Sequence, residues 1–291
     1  MDLMDFINYG ITQNLPTKTL YFLDRNIISI IKDINSRKEI KDDDKKKFSQ
    51  ELRNLDCKSN IFTPIFSLFE GEHGRMESSD EISKTVEKEV EALIYFFRKA
   101  DIDKSFIEEN LKQSFYEAKN SPDYKANFKD KENFLKEVNH YLYQPQKDRI
   151  DAGNRIIEIQ KNNYAKYFNK SHPVVIAALC CLYENNVCNK ILKPKKDIEN
   201  TNYYNSAMDF HHFTTFVHIR SAIEGKHSKR YNAKIHCEFL SRDKSLNEFF
   251  SWFDLNKSNS KMKNGALIAN MVLNKKGLET IPREVKDILN I

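Results

Sequence analysis

At 291 residues the chain is long enough for one large domain, or for a domain carrying a substantial insertion. Hydrophobic residues at 40% and aromatics at 12% exclude a disordered chain, and no apolar run approaches the length of a membrane span. A charged fraction of 31% with a net charge of +5 is that of a soluble protein with a mild basic bias, compatible with a polyanionic partner.

The opening stretch, MDLMDFINYGITQNL, carries acids where a secretory signal needs basic residues before a longer apolar core, so a cytoplasmic protein is expected. TLYFL (19–23) is short, aromatic and apolar, which predicts a buried strand, followed by a helix over 26–35. A charged helix is expected over 39–54, with KDDDKKK on its solvated face. In NIFTPIFSLFEGEHG, Thr63 before Pro64 is a helix-start signature that places Ile65, Phe66, Phe69 and Glu70 on the first turns.

From 76 to 168 apolar residues recur at three- and four-residue spacing, which predicts a block of four helices without a strand. SHPVVIAALCCLYENN (171–186) is apolar nearly all round, as a buried helix is. VCNKILKP (187–194) is read as a short strand, 200–223 as a long amphipathic helix, AKIHCEFL (233–240) as a second strand, and IPREVKDILNI as a closing helix. The five cysteines, Cys57, Cys180, Cys181, Cys188 and Cys237, lack zinc-knuckle spacing and are expected as packed thiols in a reducing compartment.

Four acids stand beside core-forming residues: Asp24 after the first strand, Glu70 on an apolar helix, Asp209 on another, and Asp243 after the later strand. An unpaired carboxylate in such places is costly. Helical spacing puts Asn205, Asp209, Phe213 and Phe216 on one stripe, so Asp209 interrupts a face that otherwise packs inward. Carboxylates gathered together repel one another unless a divalent cation compensates, and magnesium or manganese prefers oxygen ligands. Such a cluster at strand ends is suited to metal-assisted phosphodiester cleavage.

TLYFLDRN, TPIFSLFEG, NSAMDFHHF and CEFLSRDKSL resemble, in order and character, the four acidic motifs of PIN-domain nucleases. The resemblance implies an α/β fold, a PIN-like core with a mostly parallel central sheet flanked by helices, made of residues 1–75 and 169–291 and interrupted by a large all-helical insertion at 76–168. It implies magnesium- or manganese-dependent endonuclease activity, on RNA ahead of DNA, with Asp24, Glu70, Asp209 and Asp243 holding the metal. Asn26, Asn205 and Arg242 would support them. Glu72 is an alternative second acid, although the apolar run IFSLF favours Glu70. Arg25 stands where the family usually has a small hydroxyl residue, and the bulky FHHF follows Asp209, which implies a narrower or differently charged cleft. Family habit adds a toxin–antitoxin or antiviral setting.

Arg25, Arg75, Lys193, Lys195, Lys196 and Arg230 are placed to guide a phosphate backbone, with solvated loop charge as the plainer reading. His211 and His212 are helical neighbours, so at most one faces a cleft. Tyr203, Tyr204, Phe210 and Phe213 are read as packing ahead of base stacking, and Trp252 as core with Phe249 and Phe253. No membrane partner is expected. A protein partner or homo-oligomer through the aromatic stripes of the helical block, such as Tyr95, Phe96 and Phe97, is compatible with the pattern. Three rivals remain: a metal-independent HEPN-type ribonuclease using Arg220 and His227, a flap-type DNA nuclease, and a non-catalytic nucleic-acid or protein-binding module.

Overall fold

The structure is a computed structural model that describes residues 15–38, 41–70, 78–104, 121–196, 203–229, 231–263 and 266–291. Glu72, Arg75 and Arg230 lie outside the described residues, as does the part of the expected helical block over 105–120. The chain divides into two compact units, one of Met1–Tyr116 with Ile219–Arg242, the other of Glu117–His218 with Asp243–Ile291.

The first unit is α/β. Its sheet has strands β1 (Thr17–Leu23), β2 (Asn60–Thr63), β3 (Asp101–Ile102), β4 (His227–Ser228) and β5 (Ala233–Leu240), in the order β3-β2-β1-β5-β4. Strands β3, β2, β1 and β5 pair in parallel, and β4 runs antiparallel to β5. The last four residues of β1 and all of β2 are buried, as strands covered on both faces must be. On one face Tyr21, Leu23 and Phe62 pack against helices α1 (Arg25–Asn35), α2 (Asp43–Asn54) and α4 (Ser79–Phe96) through Ile27, Ile31, Leu52, Leu93 and Phe96. Phe62 stacks on Phe97 with ring centroids 3.8 Å apart. On the other face Phe22 and Phe239 meet Phe66 of the short helix α3 (Ile65–Glu70).

Helix α2 buries only Leu52, and its charges face water. Strand order reverses at β1, whose neighbours are β2 on one side and the much later β5 on the other, and open α/β sheets bind ligands at such a switch point.

The second unit contains α5 (Pro122–Leu142), α6 (Arg149–Ile159) leading into a π-helical turn (Gln160–Tyr164), α7 (Pro173–Leu182), α8 (Asn186–Leu192) and α9 (Tyr204–Ile223, the first unit taking over at Ile219). It continues with α10 (Lys244–Phe250), an antiparallel hairpin of β6 (Phe253–Lys263) and β7 (Ala266–Leu273), α11 (Lys275–Thr280) and α12 (Arg283–Leu289). Every residue of α7 is buried, and α5, α6, α8 and α12 surround it.

Two expectations change. The stretch 187–194 is helical, because Asn185 accepts hydrogen bonds from the backbone N–H groups of Val187 and Cys188 and caps α8, while Lys193 closes it in the left-handed conformation. The block 76–168 is not strandless: β3 extends the sheet, and Asp56 holds the turn leading to it by accepting from the N–H groups of Arg98, Lys99 and Ala100. Helix α4 belongs with the sheet, and α5 and α6 with α7. All five cysteines are free, four of them buried, and Trp252 is fully buried beside Phe249 and Phe253. Among the described residues no helix is long and apolar enough to cross a membrane.

Candidate functional site

Parallel pairing brings the carboxyl ends of β1, β2, β3 and β5 to one edge of the first unit. Leu23 and Leu240 are in register there, so the residues that follow them, Asp24 and Ser241, are neighbours. Asp24 N–H donates to the Leu240 carbonyl at 2.9 Å, and Asp24 then caps α1, its Oδ1 accepting from Arg25 N–H at 2.7 Å. Its Oδ2 accepts from Asn26 Nδ2 at 2.6 Å and from the Ser241 hydroxyl at 2.5 Å. Asn26 also donates to Ser241 Oγ at 3.1 Å and accepts from Arg242 N–H at 3.0 Å. Arg242 turns its guanidinium to Asp42 at 3.0 Å, at the cap of α2. Asn26 and Arg242 thus fasten the end of β5 to the start of α1, which makes them positioning residues for Asp24.

Glu70 ends α3, and one of its carboxylate oxygens lies within 4.8 Å of one of Asp24. Burial pushes Glu70 up to about 8, the Asp24 charge adds to the rise, and the Arg25 guanidinium opposes it. Glu89 of α4 stands behind this pair, only 1% exposed, accepting from Ser67 Oγ at 2.9 Å and facing Lys32 Nζ at 3.5 Å through the same oxygen. Its other oxygen has no hydrogen-bond partner, and burial, partly offset by Lys32, raises it to about 7. Near neutral pH Glu70 and Glu89 therefore hold protons for much of the time. A hard divalent cation on Asp24 and Glu70 would displace the Glu70 proton and offset the repulsion between the two carboxylates, and an oxygen donor set suits magnesium or manganese.

The four acids singled out in the sequence fall in two groups. Asp24 and Glu70 come together in the first unit, whereas Asp209 and Asp243 belong to the second. Asp209 is half-buried on α9, on a stripe that runs from exposed Asn205 to buried Phe213. Asp243 caps α10, accepting from Ser245 N–H at 2.9 Å and Leu246 N–H at 3.0 Å. His211 and His212 are both buried. Arg25 is half-buried beside the acids it influences, and Lys193, Lys195 and Lys196 are exposed in the second unit.

Sequence reasoning missed Glu89 and Ser241. For Glu89 the signal was present, since Thr85, Glu89, Leu93 and Phe96 share one helical face and all are buried. Arg220 and His227, the alternative catalytic pair, lie in the first unit. Arg220 Nε faces Glu224 at 3.5 Å, and Glu224 also meets His236 Nδ1 at 2.5 Å and the Cys237 N–H at 2.9 Å. His227 sits on β4, paired with Lys234. Comparison with protein-family models, curated proteins and solved structures gives no match.

Proposed function

We propose that the chain is a metal-dependent endonuclease with a PIN-like core, cutting RNA with magnesium or manganese. The observation that supports this reading best is the Asp24–Glu70 pair, held at the carboxyl ends of parallel strands at a topological switch point, with Glu70 raised to about 8. Asp24 and Glu70 would hold the ion, which supplies Lewis-acid polarisation of a phosphodiester and makes water a competent nucleophile. The residues of the chain do the orienting. Ser241 and Asn26 fix the Asp24 carboxylate, Arg242 fixes Asn26, and Arg25 brings positive charge to an otherwise acidic edge where a phosphate must approach. The resemblance adds Asp209 and Asp243 to the acidic set, and their substitution belongs in the same experiment.

The test is cleavage of end-labelled structured RNA and of single-stranded DNA, with manganese or with chelator, alongside calorimetric titration of manganese. RNA cleavage that needs the ion is expected. Asp24→Asn and Glu70→Gln should each lower it by about a hundredfold or more and weaken manganese binding, as loss of a direct ligand does. Wild-type protein that neither binds manganese nor cuts RNA overturns the reading.

A further inference from the structure

The second unit contains a cavity of about 650 Å³, open to solvent on one side and remote in sequence from the Asp24–Glu70 pair. Helix α5 presents Tyr124, Asn127 and Lys131 to it, at the three- and four-residue spacing that keeps side chains on one face, and α9 presents His211 and His218. The segment that leaves the π-helical turn, ending at His172, forms a further wall and includes Tyr167 and Phe168. The volume falls within the range of roughly 300–1,000 Å³ usual for small-molecule sites.

The polar groups here lack what would normally balance them. Lys131 is 1% exposed, and its amine hydrogen-bonds to Asn127 Oδ1, with no carboxylate in ion-pair contact among the described residues. Burial pushes that amine down to about 7, with nearby Asp130 opposing the fall. His211 is 7% exposed, and neither of its ring nitrogens has a hydrogen-bond partner. Burial holds it well below the ordinary histidine range, with Lys131, His212, His172 and His218 adding to the effect. His172 accepts from Val174 N–H through Nδ1 at 3.2 Å, so on the neutral ring the remaining hydrogen sits on Nε2 as a donor.

Buried polar groups are almost always satisfied, and an unpartnered His211 beside a Lys131 that has no counter-charge points to a group with several acceptor oxygens. The titratable lining also includes Lys166, His218 and a single acid, the exposed Asp123, which makes the cavity favourable to an anion. Beside the donors the walls are aromatic: Tyr124 meets the His211 ring edge-on at 4.4 Å, and Tyr167 and Phe168 add flat surface. Such surfaces stack planar bases.

We propose that this cavity binds a nucleoside monophosphate, its phosphate seated on Lys131, His172 and His211 and its base against Tyr124 and Tyr167. The site is independent of the cleavage reading, and its test uses no cleavage.

The experiment is calorimetric titration of the full chain with each of the four ribonucleoside monophosphates and with adenosine, repeated for Lys131→Met and His211→Phe. At least one monophosphate should bind, adenosine should bind at least tenfold more weakly than AMP if AMP is that ligand, and both substitutions should weaken the monophosphate at least tenfold. Titration of the wild type at pH 7.5 in buffers of different ionisation heat should show proton uptake, because a bound anion returns a proton to Lys131. This last readout needs no variant to fold. A 5′-phosphorylated tetranucleotide that competes assigns the occupant to a strand end, and one that is excluded assigns it to the free nucleotide; either result keeps the phosphate site. Binding of no monophosphate, equal affinity for AMP and adenosine where AMP is the ligand, or binding without proton uptake would overturn the proposal.

Discussion

Ser241 donates its hydroxyl hydrogen to Asp24 Oδ2 across 2.5 Å, although 217 positions separate the two residues. The contact follows from the parallel pairing of β1 with β5, which ends both strands in register at Leu23 and Leu240, so that the next residues, Asp24 and Ser241, meet. A carboxylate placed by its own backbone alone would swing about χ1 and χ2. Here an amide, a hydroxyl and a backbone N–H from two strand ends converge on it, which is the kind of support a metal or phosphate ligand requires.

Ser241→Ala is therefore expected to cost more than an ordinary hydroxyl deletion. Ser241 is 2% exposed and bonds a carboxylate, so the loss should be about 1.5–3 kcal/mol by urea denaturation. Manganese affinity should fall as well, because Asp24 loses one of its orienting donors. An unchanged urea midpoint together with unchanged manganese affinity would remove Ser241 from any supporting role.

The pH dependence of stability has a sign opposite to that of ordinary acid denaturation. Glu89 is raised to about 7 in the folded protein against an ordinary 4.5, so between those values the native state keeps a proton that the unfolded chain has released. Its stabilising contribution is complete below pH 4.5 and is lost as pH rises through 7, at up to about 1.4 kcal/mol per pH unit. Glu70 extends the same fall toward 8. Lys131 acts in the reverse direction, lowered to about 7 from 10.5, so its effect is gained as pH rises from 7 to 10.5 and does not mask the lower window. Glu89→Gln keeps the shape of the protonated acid, and its urea midpoint should fall less between pH 5 and pH 7 than that of the wild type. Parallel midpoint curves for the two proteins would show that Glu89 ionises normally.

The parts of this arrangement that were legible in the sequence were those written locally. TLYFL and AKIHCEFL read as strands because they are short and apolar, and both are strands of the parallel sheet. Asp24, Asn26 and Arg242 were found from those strand ends. VCNKILKP misled because its apolar residues allow either a strand or a helix, and the choice was made by Asn185 just before it. The β6–β7 hairpin went unread although Asn264-Gly265, a strong hairpin signal, stands between its strands. Lys131 was hidden for a different reason: in a helix rich in lysine it looks like any solvated charge until tertiary structure buries it without a counter-charge.

Arg220 and His227 discriminate the metal-dependent reading from its metal-independent rival. The Arg220 guanidinium is already engaged with Glu224, an acid that His236 and the Cys237 N–H also hold. Arg220→Ala with His227→Ala should leave RNA cleavage within about threefold of wild type, and cost about 1 kcal/mol or less for a half-exposed ion pair. Cleavage that survives chelation and disappears in this double variant would transfer the catalytic role to the pair.

Gly277 and Gly153 provide an internal comparison in the second unit. A Cβ built on Gly277 would lie 2.4 Å from the Trp252 carbonyl oxygen and 2.8 Å from Leu273 Cδ2. That carbonyl already accepts from Asn274 N–H at 2.9 Å, and Asn274 in turn caps α11 by accepting from Gly277 N–H at 2.9 Å. An added methyl must push α11 away from the turn that carries fully buried Trp252, against backbone that cannot rotate aside. A Cβ on Gly153 would also come close, 2.5 Å from Ile288 Cδ1, but that atom is the end of a flexible side chain and can change rotamer. Gly277→Ala should therefore destabilise by about 1–3 kcal/mol, as overpacking does, with Gly153→Ala distinctly milder. Urea midpoints of the two variants decide it, and a Gly277→Ala protein as stable as Gly153→Ala would mean that α11 does not sit against Trp252 as closely as the geometry requires.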